Sequence, residues 1–377
     1  MNDRLGVPET GMLAHRTLPA LMAPAQLLPG RSRDVDALLA WGRRPSARRV
    51  ERLAQRRGLP VWHLEDGLLR SLAKGRRHPP LCLLVDDLGV HFDATAPSRL
   101  EQRIAASLSA EQRDRARAVQ LLWCTQRLSK LNPPRESLAP EQRFVLVVDQ
   151  SAGDLSIPLG LAGPQSFQQM LRAALADYPD CTVVVKVHPD VIQGRARGHF
   201  SPADLQHPRI RLCADGRHPA ALLERAEAVY VVTSQMGFEA LLWGRPVHCF
   251  GMPFYAGWGL TQDRLRSPER RTVRPGLEAL VHAALIAGSR CLDPHSLQSA
   301  PIEDLMRAIG LQRRLQSQPA ARVEAFGFTP WKQRNLRRFL AGSALRFRLP
   351  RARLGRRAEA VAVWGRRARP RLLAAVE

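Results

Sequence analysis

Short apolar runs alternate along the chain with longer stretches whose apolar residues recur at helical spacing, the pattern of a sheet covered by helices. In the first half, residues 37–41 and 61–64 read as strands, with a helix over 46–57 between them. Residues 81–85 and 90–92 read as a hairpin turning at 87–89, where Asp87 and Gly89 supply turn chemistry. Residues 94–131, rich in Arg, Ala, Gln and Leu at helical spacing, read as a long helix. Pro133 and Pro134, with the polar stretch to Gln142, then predict a linker, because a residue before proline is biased away from helix.

The second half shows the same alternation more cleanly. Strands are predicted at 144–149, 182–187, 210–212, 228–232 and 247–250, and helices at 164–177, 219–226 and 236–243. This is an α/β chain with a nucleotide-binding type of second half. The expected division is 1–135, 143–295 and a terminal extension over 296–377. No self-similarity of solenoid period is present.

Charge adds a partner class. The 377 residues carry 57 Lys and Arg against 34 Asp and Glu, a formal net charge of +23, which predicts attraction to an anionic surface. About half of that excess lies after residue 330, where 14 Lys and Arg face only Glu359 and Glu377. Mixed with Phe339, Leu345, Phe347, Val361 and Trp364, it predicts amphipathic helices on an anionic bilayer. No nucleic-acid module accompanies it. The six cysteines form no C-x-x-C pair, so neither a zinc site nor a disulfide framework is indicated, and they read as buried thiols of a reducing compartment. Pro19, Pro24 and Pro29 interrupt the early apolar stretch, and no run reaches the length of a spanning helix. The expected location is cytoplasmic, peripheral to the inner face of a membrane.

In open α/β sheets ligands sit beyond the carboxyl ends of the strands, and the candidate chemistry lies there. After the strand at 144–149 come Asp149 and Asp154 in a small-residue loop. Either offers a nucleophile or base, or else Asp154 caps a turn while Asp149 bonds to backbone. Lys186, His188 and Pro189 follow the next strand, with His188 placed to meet a phosphate or serve as a loop histidine. Ser234, Gln235 and Gly237 open a helix whose backbone N–H groups suit a phosphate, Ser234 being otherwise a plain N-cap. Tyr255 and Trp258 sit in a Gly-rich aromatic loop suited to stacking on a base or sugar, or to a core turn. Glu65, Asp66, Arg70 and Ser71 offer an acid pair beside groups that bind a carboxylate or phosphate; an exposed acidic turn is the plain alternative. Neither a Walker A motif nor G-x-G-x-x-G is present.

Taken in order, five motifs resemble one family. E-D-G-L-L-R-S at 65–71, H-F-D-A-T at 91–95, D-Q-S-A-G-D-L-S-I at 149–157, K-V-H-P-D at 186–190, and S-Q-M-G-F-E-A-L-L-W-G through G-M-P-F-Y-A-G-W-G-L-T at 234–261 look like the capsular polysaccharide β-Kdo transferases of the KpsC/KpsS type. The resemblance spans roughly residues 35–290. It implies two Rossmann-like domains in a GT-B-like arrangement, followed by a basic helical extension that meets the membrane or returns to the first domain. The implied activity is a retaining transfer of β-Kdo from CMP-β-Kdo, without metal or other cofactor, to a lipid acceptor of phosphatidylglycerol type, for capsular polysaccharide.

By the same resemblance Asp154 is the nucleophile, with Asp149 close by; His188 assists departure of CMP; and Glu65 is the acid/base, with Asp66 beside it. Gln150, Lys186, Pro189, Ser234, Gln235, Gly237 and Glu239 complete the nucleotide site. Arg70 or Lys186 balances the charge of the sugar carboxylate. Well-known members carry two modules in tandem and this chain carries one, which implies one linkage and a possible second Kdo transferase as partner. Two other readings stay open: a GT-B transferase with a different nucleotide-sugar donor, and a non-catalytic capsule export or binding component.

Overall fold

The computed structural model describes residues 3–73, 75, 78–317, 322–340, 343–349 and 358–364. The chain divides into two compact units, Met1–Gly310 and Leu311–Glu377.

The first unit holds two sheets. β1 (Arg4–Val7), β2 (Gln26–Pro29), β3 (Ala37–Trp41) and β4 (Val61–Asp66) run parallel, and β5 (Cys82–Asp86) pairs antiparallel with β4. The helix Pro45–Arg57 between β3 and β4 starts with proline at its first turn and stops at Gly58, which takes φ +62° as its C-cap. Its Ala47, Val50 and Ala54 pack on the sheet.

The second sheet is built from β6 (Phe144–Val148), β7 (Thr182–Lys186), β8 (Ile210–Cys213), β9 (Val229–Val231), β10 (Val247–Cys249) and β11 (Gln262–Asp263), all parallel, in the order β11-β10-β9-β6-β7-β8. Helices cover both faces, so β6 is buried at every position and reads Phe-Val-Leu-Val-Val without alternation. The chain then returns to the first sheet. β12 (Ser289–Leu292) pairs antiparallel with β5, and β13 (Ser299–Ala300) closes the edge, giving the order β13-β12-β5-β4-β3-β1-β2. The segment expected to complete the second domain by residue 295 thus ends on the first sheet.

Two other elements differ from expectation for identifiable reasons. No return strand forms at 90–92, because the Asp86 carboxylate takes the backbone N–H groups of Leu88, Gly89, Arg99 and Leu100 and turns the chain towards a helix. The long helix expected over 94–131 is two helices, Arg99–Ala105 and Ala110–Thr125. Ser98 caps the first and Ser109 forms a capping box with Gln112 at the second.

One apolar cluster joins the two sheets, running from Leu68, Ala94 and Trp123 to Phe238, Tyr255 and Trp258. Beside it Glu101, 6% exposed, takes Arg271 at 2.7 Å and Arg270 at 2.6 Å. Those arginines also donate to the carbonyls of Pro253, Ala256, Ala94 and Ala96, tying the first lobe to the second.

The extension expected to be helical is mixed: the helix Ile302–Ser317 opens it and runs into the second unit. Among the described residues that follow, β14 (Arg322–Phe326) lies between β15 (Ala344–Arg348) and β16 (Ala360–Val363) in a parallel sheet, with a further helix at Pro330–Phe339. Leu345, Phe347, Val361 and Val363 are therefore strand residues, not part of an amphipathic helix.

Candidate active site

The second sheet winds outward from β6 through β7 and β8 on one side and through β9, β10 and β11 on the other. Connections leaving the carboxyl ends of β6 and β9 diverge, which makes this end of the sheet the switch point at which open α/β sheets bind ligands. The Gln150 amide donates to Thr233 Oγ1 at 3.0 Å and accepts the Thr233 N–H at 3.0 Å, so this buried side chain clamps the two loops together.

Of the two aspartates in the β6 loop, Asp149 is buried. It accepts the N–H groups of Gln150 (2.8 Å) and His199 (3.1 Å), and burial raises its pKa. Gly198 leaves it room, since a Cβ there would collide with Asp149 Oδ2. Asp154 is exposed and accepts the Ser156 N–H at 2.9 Å, at the start of a one-turn helix. Asp149 organises the loop, and Asp154 is the carboxylate it presents.

His188, after β7, is half-buried. Its Nδ1 accepts the Asp190 N–H at 3.1 Å and lies 3.1 Å from Ser151 Oγ, so the neutral ring carries its proton on Nε2. Pro189 opens the short helix Pro189–Ile192. Lys186 turns away from a ligand role: its ammonium, almost wholly buried, donates to Ser137 Oγ (3.2 Å) and the Arg217 carbonyl (3.4 Å), 3.7 Å from Asp215. It fastens the linker to the end of β8.

After β9, Ser234 Oγ accepts the Met236 N–H at 3.3 Å, and the helix that follows, Met236–Leu242, has seven residues. Gly237 exists for a neighbour, because a Cβ there would strike the Tyr255 ring. Tyr255 and Trp258 are buried in the core. The Tyr255 hydroxyl donates to the Ser234 carbonyl and Trp258 Nε1 to the Phe254 carbonyl. Both rings belong to the core cluster, and the expectation that they stack on a sugar is corrected.

The remaining candidates come from the first sheet. Glu65 and Asp66 are successive strand residues and point to opposite faces. Asp66 pairs with Arg70 at 2.9 Å. Arg70, buried, also donates to Ser71 Oγ and to the carbonyls of Ala73 and His78, while the Ser71 hydroxyl donates to Ala73; the two hold their own loop rather than a substrate. Glu65 lies over Gly42 (φ +54°), where any Cβ would collide with its Oε1. Burial, helped by Asp66, pushes the Glu65 carboxyl up to about 7 against the pull of Lys130 and Arg44.

Gln235 crosses between the two lobes. Its amide donates to the Leu68 carbonyl at 2.7 Å and to Glu239 Oε1 at 3.0 Å. Glu239, 1% exposed, also takes the Lys130 N–H at 3.2 Å, and burial raises its pKa to about 7 despite those donors. His91, packed edge-on against Phe92 and Phe254, is lowered by burial and then by Lys130 to about 3, so it stays neutral. Its neighbour loop meets the second lobe where the Ala94 N–H reaches the Leu159 carbonyl at 2.8 Å. Lys130 and His91 carried no role in the sequence reading; Lys130 follows a helix in an unremarkable S-K-L-N run, and only the fold brings it here.

The candidates thus include an exposed carboxylate, Asp154, and a half-buried histidine, His188, at the end of the second sheet, and a buried carboxyl raised to about 7, Glu65, on the first. That set suits group transfer with proton exchange at an acceptor. Among the described residues no group of three or more His, Cys, Asp and Glu side chains is placed to hold a metal ion.

Comparison with known proteins gives consistent results. A family model described as capsule polysaccharide biosynthesis protein matches residues 36–130 and 114–290. The capsule polysaccharide modification protein LipA of Neisseria meningitidis serogroup B is 36% identical over 319 residues, covering 80% of this chain and 45% of LipA. The lipopolysaccharide-processing protein LpsZ of Rhizobium meliloti is 36% identical over 287 residues, 74% of this chain and 64% of LpsZ. The chain spans about half the length of the LipA proteins it matches. Among solved structures, the β-Kdo 2,4 transferase of Thermosulfurimonas dismutans KpsC superposes with a TM-score of 0.76 at 34% identity, covering 82% of this chain and 98% of that one. The β-Kdo 2,7 transferase of the same KpsC gives 0.63 at 27%, covering 82% and 100%.

Proposed function

Because the chain belongs to the capsule polysaccharide biosynthesis protein family, we propose that it is a β-Kdo glycosyltransferase of capsule assembly, using CMP-β-Kdo and retaining the anomeric configuration. The observation that supports this best is the likeness to both KpsC transferase structures over nearly their whole length.

In the proposed reaction, CMP-Kdo lies across the switch point with its phosphate towards His188 and Ser234. The Asp154 carboxylate attacks the anomeric carbon of Kdo as the bond to the CMP phosphate breaks. The Nε2 proton of His188 stabilises the departing phosphate oxygens. The Kdo ester of Asp154 is then attacked by the acceptor hydroxyl, whose proton passes to the Glu65 carboxylate, and Asp154 leaves as a free carboxylate. Two inversions give retention. No metal or other cofactor takes part.

The acceptor in this reading is a Kdo-bearing lipid of phosphatidylglycerol type at the cytoplasmic face of the inner membrane, and a second transferase supplies any other linkage. The second unit favours membrane contact, since Trp331, Phe339 and Leu349 are exposed in a strongly basic segment. No helix among the described residues is long and apolar enough to cross a membrane.

The test is turnover. Protein incubated with CMP-Kdo generated in place and a synthetic Kdo-terminated acceptor should lengthen the acceptor by one Kdo with matching CMP release, while CMP-sialic acid should not serve. CMP bound without any transfer would favour the export or binding role, and transfer from another nucleotide sugar would replace the donor.

A further inference from the structure

The helix Pro45–Arg57 of the first unit carries arginines at 48, 49, 52, 56 and 57 against one acid, Glu51. Glu51 is already taken by Arg43, at 2.8 Å. Arg57 turns to the neighbouring loop and donates to the carbonyls of Gly30 and Ser32. Arg48, Arg49, Arg52 and Arg56 are exposed, and among the described residues none of these four is ion-paired with a carboxylate. Arg52 Nε donates to the Arg48 carbonyl of its own helix at 3.3 Å. On the helix Ala110–Thr125, by contrast, the exposed Arg115 pairs with Glu303 and Arg117 with Glu278.

The physics of an isolated helix works against this arrangement. Arg48, Arg52 and Arg56 follow one another at four-residue steps, so like charges repel along one side. Exposed Arg44, at the N-cap, adds a cation where the helix dipole disfavours one, and no acidic residue stands in the first turn to answer it. The opposite side, Ala47, Val50 and Ala54, is buried on the sheet, so the cationic side is the one left for a partner. That side exposes no aromatic ring on which a nucleic-acid base would stack. Guanidinium groups spread over a face suit phosphate groups spread over a surface. The helix also begins three residues after Gly42, over which Glu65 lies, so the face adjoins the candidate acid/base.

We propose that this arginine face is an electrostatic docking surface for an anionic bilayer, meeting the headgroup phosphates of the membrane that carries the acceptor. The choice of a bilayer rests on the β-Kdo transferase reading, whose acceptor is a lipid, but the binding needs no turnover and is tested apart from it. The contact is a surface one without insertion, since the face exposes no large apolar side chain. It therefore weakens as salt is added.

The test is co-sedimentation of the full chain with vesicles of phosphatidylcholine alone or of phosphatidylcholine with phosphatidylglycerol. Wild type is compared with the triple variant Arg48→Gln, Arg52→Gln, Arg56→Gln and with the matching lysine triple, which keeps the charge. Each arginine at an anionic surface is worth about 5-fold in partitioning, so the glutamine triple should bind the anionic vesicles on the order of 100-fold more weakly, and the lysine triple within a few-fold of wild type. The glutamine triple should unfold at the wild-type temperature or above, because it removes repulsion from an exposed face, and this separates the loss from misfolding. A loss below about 5-fold, no binding by wild type, or equal binding of wild type to neutral vesicles overturns the proposal. A single-stranded RNA oligonucleotide that loses affinity for the glutamine triple while vesicle binding persists assigns the face to nucleic acid and overturns it as well. Should the transferase reading fail, the vesicle result stands on its own. Where transfer is observed, the glutamine triple should slow it for an acceptor embedded in vesicles and leave it unchanged for a soluble acceptor; equal slowing of both overturns the link to the membrane.

Discussion

The two sheets of the first unit place their acidic residues differently. At the second sheet Asp149 is buried and satisfied by backbone N–H groups while Asp154 stands at the surface five residues on. At the first sheet the adjacent Asp66 and Glu65 divide by strand alternation: Asp66 is paired with Arg70 and Glu65 is packed on Gly42 with a pKa near 7. In each pair one carboxylate is committed to its own loop, Asp149 to backbone N–H groups and Asp66 to Arg70, while Asp154 stays exposed with a single backbone donor. In the proposed reaction a nucleophile has to be ionised and reachable, whereas an acid/base group works best with a pKa near the working pH, and the exposure of Asp154 and the burial of Glu65 match those two needs.

Removing the carboxyl that titrates near neutrality should have the largest effect. Glu65→Gln is expected to lower kcat by about 10²–10⁴-fold with little change in CMP affinity, read by initial rates and calorimetry. In the proposed reaction the ionised form accepts the acceptor proton, so the wild-type rate should fall as pH drops below about 7. A loss in CMP affinity alone would place Glu65 at the nucleotide instead.

The next effect is on the join between the lobes. Glu101→Ala leaves Arg270 and Arg271 without their carboxylate partner and should cost about 3–5 kcal/mol of stability in urea unfolding. A change below 1 kcal/mol, of the order expected for an exposed pair, would show the staple to be solvated.

Glu239 sharpens the comparison through pH. Its folded pKa is raised above the ordinary carboxylate value to about 7, so the native state holds a proton that the unfolded chain releases. Its contribution is fully present below the unfolded pKa and is lost as pH rises through about 7. Glu239→Gln keeps an acceptor for the Lys130 N–H and should gain about 1–3 kcal/mol over wild type at pH 8, with little gain at pH 5. Equal gains at both values would remove the burial argument.

The smallest effect tests support against contact. Tyr255→Phe removes the hydroxyl that donates to the Ser234 carbonyl and should cost about 1 kcal/mol of stability. KM for both substrates should be nearly unchanged, because the ring is buried in the core.

Much of this arrangement could be read in the sequence, and the failures have physical causes. The strands at 144–148, 182–186 and 229–231 and the helix Pro164–Asp177 declare themselves because a parallel sheet buried on both faces needs unbroken apolar runs between amphipathic helices. The hairpin expected at 81–92 fails because a side chain, Asp86, outcompetes a second strand for four backbone N–H groups. β12 could not be assigned to its sheet, since pairing of Cys291 with Cys82 joins residues far apart in the chain. The C-terminal strands were hidden by their charge, which pattern alone assigns to amphipathic helices. For the candidate site, motifs pointed to loops at strand ends but could not give the direction of each side chain. Arg70, Ser71, Lys186, Tyr255 and Trp258 are engaged in local hydrogen bonds that long-range packing decides.

The central claim is a covalent Kdo intermediate on Asp154, and intact-protein mass spectrometry tests it most directly. With CMP-Kdo present and acceptor withheld, wild type and Asp149→Asn should gain the mass of one Kdo and Asp154→Ala should not, with peptide mapping placing the adduct on Asp154. Acceptor extension by wild type with no adduct in any variant, or an adduct that persists in Asp154→Ala, would contradict the account.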